Sequence, residues 1–223
     1  MTGSMFETIV ALPLFRGISE KQLMQVLEKC KIRFESAKAG RVILNAGEQC
    51  THLTFVVSGI VRATTTTTDG RLSLSQSVKG PDVLYPDFLF GLSTARPAVV
   101  RSMSEVVMLH VAKSDLIKML TTNDVVLFNY LNILSSNAQR GYRDVFNGSG
   151  GDISRRLATR ICALTKPNSF DIVLEINTNV ATEFDTSIEA FNNAFNSLEE
   201  QKAVSGTPNR IVVKNRAALA ALL

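Results

Sequence analysis

The sequence is poor in the residues that build metal and redox centres. Histidine occurs twice, as His52 and His110, and cysteine three times, as Cys30, Cys50 and Cys162. The cysteines form no C-x-x-C pair and no metal-ligand spacing, so free thiols are expected rather than a disulfide framework or a zinc site. Neither histidine has a second ligand beside it, which leaves little material for a metal or a histidine-based triad. Long apolar runs are also missing. The best, Val125-Val126-Leu127-Phe128, is interrupted by Asn129 and Asn132, well short of the ~18 residues of a membrane helix. Met1-Thr2-Gly3-Ser4 has no basic region and no signal-peptide core, so a cytoplasmic protein without a membrane partner is expected. No Walker-type glycine loop, nucleophile–base pair or paired metal ligands occur, so no catalytic residue, metal or cofactor is assigned and a non-enzyme is expected.

What the chain has is a globular composition. Its 223 residues are 45% apolar, enough for one large domain or two modest ones with a real core. Charge is unevenly placed. Residues 1–150 hold 16 Lys and Arg against 12 Asp and Glu, whereas residues 151–223 hold 8 against 8. The basic excess is therefore not in the C-terminal part, where it would serve a polyanion best.

Along the chain, the stretch Met5 to Phe15 is amphipathic and ends at Pro13. Ser19 is a good N-cap for a helix from Glu20 to Cys30, with Leu23, Val26 and Leu27 on its apolar face. From Ile32 the period changes. Val42-Ile43-Leu44, Leu53 to Val57 and Ile60 to Ala63 are short β-prone runs separated by glycine turns. Thr64 to Thr68 leads into Asp69-Gly70 and returns through Leu72, Leu74 and Gln76, a hairpin pattern. Val99-Val100 and Val106 to Val111 add two strands, and many short strands at such spacing indicate a sandwich or roll. Ser114 is placed to cap a helix from Asp115 to Leu120.

A longer helix follows from about Asp124 to Phe146. Leu127, Leu131, Leu134, Ala138, Gly141 and Val145 form a heptad seam on it, favouring self-association. Phe128, Ile133, Tyr142 and Phe146 give it a second face. Asn147 to Gly151 is the clearest linker. Beyond it the pattern predicts a helix (Ile153 to Thr165), a strand (Ile172 to Leu174) and a short helix (Asn179 to Phe184). A helix from Ser187 to about Lys202, a hairpin from Ser205 to Val213 and a terminal helix complete it. Helix–turn–helix followed by a hairpin is the order of a winged helix.

Several motifs now stand in order. Leu12-Pro13-Leu14-Phe15-Arg16-Gly17-Ile18-Ser19 opens the chain. Gly40-Arg41-Val42-Ile43, Ala46-Gly47-Glu48 and Leu53-x-Phe55-Val56-Val57-Ser58-Gly59 follow. Val180-Ala181-x-x-Phe184-Asp185-Thr186-Ser187 and Leu198-Glu199-Glu200-Gln201 come last. Together they resemble the cAMP-receptor-like (Crp/Fnr) transcription regulators over nearly the whole length. The resemblance implies an α+β chain: a cyclic-nucleotide-binding-type β-roll, jelly-roll-like, over 1–122; a dimerisation helix over 123–147; a glycine-rich hinge at 148–151; and a winged helix-turn-helix over 152–223. It implies a homodimer, a two-fold symmetric double-stranded DNA site, and RNA polymerase as a further partner.

The site residues depart from the family pattern. Tyr85-Pro86 stands where nucleotide binders carry Gly-Glu, and Arg96-Pro97-Ala98 where they close with Arg-Ser/Thr-Ala. Gly141-Tyr142 falls near their Thr-Ser. Pro97 has no N–H to donate, so an effector other than cAMP is expected, held by Arg96, Tyr85, Ser93, Thr94 and Tyr142. The competing reading turns Arg96 to solvent and fills the pocket with Tyr85, Phe88 and Phe90. In the reading helix both family arginines are replaced, by Ile188 and Asn193. Glu189 remains and could accept from cytosine; Asn192, Asn193 and Asn196 suit adenine edges; Thr178, Thr186, Ser187, Arg210 and Lys214 suit phosphates. The alternative is a ligand- or protein-binding dimer whose winged helix has lost sequence-specific DNA binding.

Overall fold

The computed structural model describes residues 3–148 and 151–223. In chain order the elements begin with α1 (Gly3–Val10) and α2 (Glu20–Lys29). Eight strands follow: β1 (Ile32–Ala37), β2 (Val42–Leu44), β3 (His52–Ser58), β4 (Ile60–Thr66), β5 (Leu72–Lys79), β6 (Asp82–Leu84), β7 (Val99–Ser102) and β8 (Val106–Ala112). Then come α3 (Lys113–Thr122), α4 (Asp124–Gly148) and α5 (Ile153–Leu164). The chain ends with β9 (Phe170–Ile176), α6 (Val180–Glu183), α7 (Ile188–Glu200), β10 (Val204–Thr207), β11 (Arg210–Val213) and α8 (Arg216–Ala220). Of the expected hinge, Ser149 and Gly150 lie outside the described residues.

Two compact units emerge: Met1–Val61 with Lys79–Asn137, and Arg62–Val78 with Ala138–Leu223. In the first, an antiparallel sheet runs in the order β1-β8-β3-β6. Phe55 lies opposite Leu109 on one side and Val83 on the other. Strands β3 and β8 bury Leu53, Phe55, Leu109 and Val111 in this core, and α2 adds Leu23 and Val26. Ser19 caps α2 as expected, accepting from the Gln22 N–H in a reciprocal capping box. Ser114, expected as a cap, lies inside the first turn of α3 instead; Ala112 is the N-cap residue and offers no side-chain bond. Asn129 ties α4 to the N-terminal segment by donating to the Leu14 and Arg16 carbonyls at 3.0 and 2.8 Å.

Gly59, the turn between β3 and β4, shows why the motif needs glycine. Its φ is +90°, and a Cβ there would sit 2.3 Å from the Glu105 carbonyl oxygen.

The second unit has its own core. Strand β9 pairs antiparallel with both β5 and β11, so Leu174 lies opposite Leu74 and Ile211. Helices α5 and α7 contribute Leu157, Ile161, Phe191, Phe195 and Leu198 to the same cluster. The buried Gln76 amide fastens β5 to the end of α5: it donates to the Leu164 carbonyl at 3.0 Å and accepts from the Lys166 N–H at 2.9 Å. Between α6 and α7, Asp185 takes a left-handed conformation at φ +46°, a state asparagine and aspartate tolerate better than most side chains. The Thr186 N–H then closes on the Ala181 carbonyl at 2.9 Å.

Candidate functional site

Two regions hold the residues singled out from the sequence. One is the segment from Tyr85 to Ala98 in the first unit. Tyr85 opens it in the left-handed region, φ +47°, a conformation that costs a bulky residue on the order of 1–3 kcal/mol. Its ring meets Phe88 edge-on, centroids 6.2 Å apart. Phe88, Leu89 and Phe90 pack on the first core. Phe90 also meets the Tyr130 ring edge-on and lies under the Lys113 ammonium at 4.7 Å. Pro86 is buried, and its carbonyl accepts from the Tyr130 hydroxyl at 3.1 Å. Burial, reinforced by the nearby Asp87 charge, pushes the Tyr130 phenol far above the ordinary range, so it stays a donor at any working pH.

Arg96 is brought to a carboxylate of its own chain. Its guanidinium lies 3.3 Å from Glu48 Oε2, with the arginine side chain only 11% exposed. The backbones are fastened as well: Arg96 N–H donates to the Glu48 carbonyl and Gly47 N–H to the Arg96 carbonyl, both at 2.9 Å. Asn45 holds the other Glu48 oxygen at 2.9 Å. Arg96 therefore does not turn to open solvent, and sequence reasoning missed the partner. The Gly-Glu of the Ala46-Gly47-Glu48 motif was the available signal. Thr94, half-buried, accepts the Cys50 N–H at its carbonyl, and Ser93 is exposed. Tyr142 is in the second unit, 72% exposed and stacked on Phe146.

In the segment 85–98, Pro97 offers no N–H to an anion, and Arg96 is already paired with Glu48.

His110 lies on β8. It is buried, with Nδ1 3.1 Å from the Thr54 hydroxyl and Nε2 3.7 Å from Glu35. Burial dominates, with help from the Arg33 charge, and lowers its pKa; the half-exposed Glu35 opposes weakly. The unfolded chain therefore takes up a proton that the folded one resists. First-unit stability should fall as pH drops below about 6.5, the ordinary histidine value. Denaturant titrations across that range check this, and His110→Gln should flatten the dependence.

The second region is α7 and its surroundings. Ser187 caps α7, accepting the Ala190 N–H at 3.1 Å. Phe191, Phe195 and Leu198 are buried, whereas Glu189, Asn193 and Asn196 are exposed and Asn192 is half-buried. Thr178 and Thr186 are half-buried, and Lys214 is exposed. Five described arginines from α5, β11 and α8 have acceptors within this unit. Arg155 donates to the Leu223 carbonyl at 3.0 Å and Arg156 to the Phe184 carbonyl at 2.7 Å. Arg160 pairs with Glu183, and Arg210 with Glu175 at 3.4 Å. Arg216 holds the Thr165 hydroxyl and the Thr165 and Cys162 carbonyls at 3.0–3.1 Å.

On α4, Leu131 is 46% exposed and Ala138 exposed. Leu127 and Gly141 are half-buried, and Leu134 packs on the first core. The Val145 side chain lies outside the described residues. Among the described residues no helix is long and apolar enough to cross a membrane, and no cluster of three His, Cys, Asp or Glu could hold a metal.

Residues 34–123 match the family model of the cyclic nucleotide-binding domain. The solved structures of similar fold include the catabolite activator protein of Thermus thermophilus. That likeness covers 94% of this chain and 97% of the other, at 18% identity and a TM-score of 0.52. The sensor domain of the transcriptional regulator DNR from Pseudomonas aeruginosa aligns over 60% of this chain and 87% of its own, at 16% identity and a TM-score of 0.51. No curated protein matches the sequence. The chain thus carries a cyclic nucleotide-binding domain in an α+β fold similar to that of catabolite activator-type transcription regulators.

Proposed function

We propose that the chain is a homodimeric transcription regulator that reads double-stranded DNA through a winged helix-turn-helix made of α6, α7 and the β10–β11 hairpin. The observation that supports this best is the α6–α7 turn. A left-handed residue and a serine cap set α7 with three apolar residues buried and its polar face outward, directly before an antiparallel hairpin. The fold likeness to a catabolite activator protein extends over this part of the chain.

The roll is the sensing part, and its effector is not cAMP. Tyr85, Ser93, Thr94 and Arg96 form the first-unit part of the effector set, and an anionic effector has to displace Glu48 from Arg96. Tyr142, on α4 in the second unit, is the remaining member of the set. The second reading, a protein-binding dimer that no longer reads DNA, draws on the internal engagement of the arginines on α5, β11 and α8.

Binding to DNA at rising salt separates the two. A DNA reader loses affinity with salt because bound cations displace counterions. With 8 basic residues balanced by 8 acidic ones in 151–223 the loss should be shallow, a log–log slope of roughly −2 to −4 for the dimer. Protein contact through apolar surface should change little. Calorimetry with cAMP should show no heat; binding that Arg96→Ala abolishes would overturn the proposed effector class.

A further inference from the structure

Resting on the DNA-reading role proposed for α7, we infer that this helix specifies an A·T-rich half-site through asparagine and isoleucine, and that it does not read guanine. Direct guanine recognition needs an Arg or Lys fork reaching O6 and N7. Helix α7 contains neither residue. The arginines on α5, β11 and α8 are bonded to carbonyl, hydroxyl or carboxylate acceptors of the same unit.

The exposed face offers a different chemistry. Asn193 and Asn196 are three residues apart on α7 and both exposed, so they share one face. Each side-chain amide presents one donor and one acceptor, the complement of adenine N7 and N6–H. Asn192, half-buried, is four residues before Asn196 and borders the same face.

Ile188 is the least expected member. Its spacing continues the buried stripe of Phe191, Phe195 and Leu198, yet it is 53% exposed. An apolar side chain held outward on the first turn, among polar neighbours, is suited to the thymine C5-methyl group. Glu189 beside it accepts from a cytosine amino group, so the half-site carries one C·G pair among A·T pairs.

The test is selection of the full-length protein on random duplex DNA at low salt, with and without a small-molecule cell extract. The enriched duplex is then remade with uracil for thymine, which removes only the methyl group, or with 7-deazaadenine, which removes only N7. An A·T-rich half-site is expected. Uracil at one position should weaken wild-type binding about fourfold, and Ile188→Ala should not respond to that change. The 7-deazaadenine effect, about tenfold, should vanish in Asn193→Ala or in Asn196→Ala. Both residues face solvent, and thermal melting confirms that the variants fold. A half-site built on guanine contacts, or indifference of the wild type to uracil and 7-deazaadenine, overturns the inference and leaves the DNA-reading role standing. No enrichment in either condition overturns that role and the inference with it.

Discussion

Phe191→Ala should destabilise the second unit by about 3–5 kcal/mol while leaving the first unit's core intact. Phe191 has no solvent exposure, and its ring lies 5.0 Å from that of Phe184, tilted by 48°. Truncation removes most of an aromatic side chain from a cluster it shares with Leu157, Ile161, Phe195 and Ile211. The void is bounded by elements already fixed through β9 pairing and the Gln76 bonds, so it cannot simply collapse. A unit of this size has only about 5–15 kcal/mol in hand, and a loss of this order leaves it partly unfolded at physiological temperature. The first-unit cluster built on Phe15, Phe55 and Leu109 contains none of these residues. Hydrogen exchange followed by peptide should show amides of α5, β9 and β11 losing protection while β3 and β8 keep theirs. Uniform loss across the chain would mean that the two cores melt as one.

The elements legible in the sequence were those whose signal is local. Ser19 as the α2 cap, the Asp69-Gly70 turn, the long helix α4 and the hairpin ending in Arg210 to Val213 all appear where expected. Strand β1 gave no such signal. Its residues Arg33, Glu35 and Ser36 are polar and its interior is exposed, because it is the edge of its sheet. Strand β6 is three residues long and wholly buried, too short to show a period. The β5–β9 pairing joins Leu74 to Leu174, and alternation names a face without naming the strand that will cover it. Site electrostatics were hidden for a related reason. The count of 8 basic against 8 acidic residues in 151–223 is the same whether arginines face solvent or bind carbonyls. Arg156 lies on the Phe184 carbonyl and Arg96 on Glu48, pairings that composition does not encode.

Phe128→Glu should convert the proposed dimer to a monomer, a larger effect than Leu127→Glu. Helix α4 leaves Phe128, Leu131 and Tyr142 exposed at 63, 46 and 72%. With Ser135 and Ala138 these residues recur at spacings of three and four, a continuous heptad stripe. The seam expected from the sequence shares Leu131 and Ala138 with it but is turned by one residue elsewhere. Leu134 packs on the first core, which makes it a poor contact for a second copy. In a two-fold interface each substitution counts twice. Losing two phenylalanine burials costs roughly 3–6 kcal/mol, a 10²- to 10⁴-fold rise in Kd, before repulsion between the two carboxylates is added. Phe128 and Leu131 are exposed, so both variants should fold normally, as melting would confirm. Sedimentation equilibrium over a wide concentration range decides the matter. Dissociation by Phe128→Glu and Leu131→Glu alone places the seam on Phe128, Leu131, Ser135, Ala138 and Tyr142. Dissociation by Leu127→Glu instead places it on Leu127, Leu131 and Ala138. If all three variants stay dimeric, α4 is not the interface.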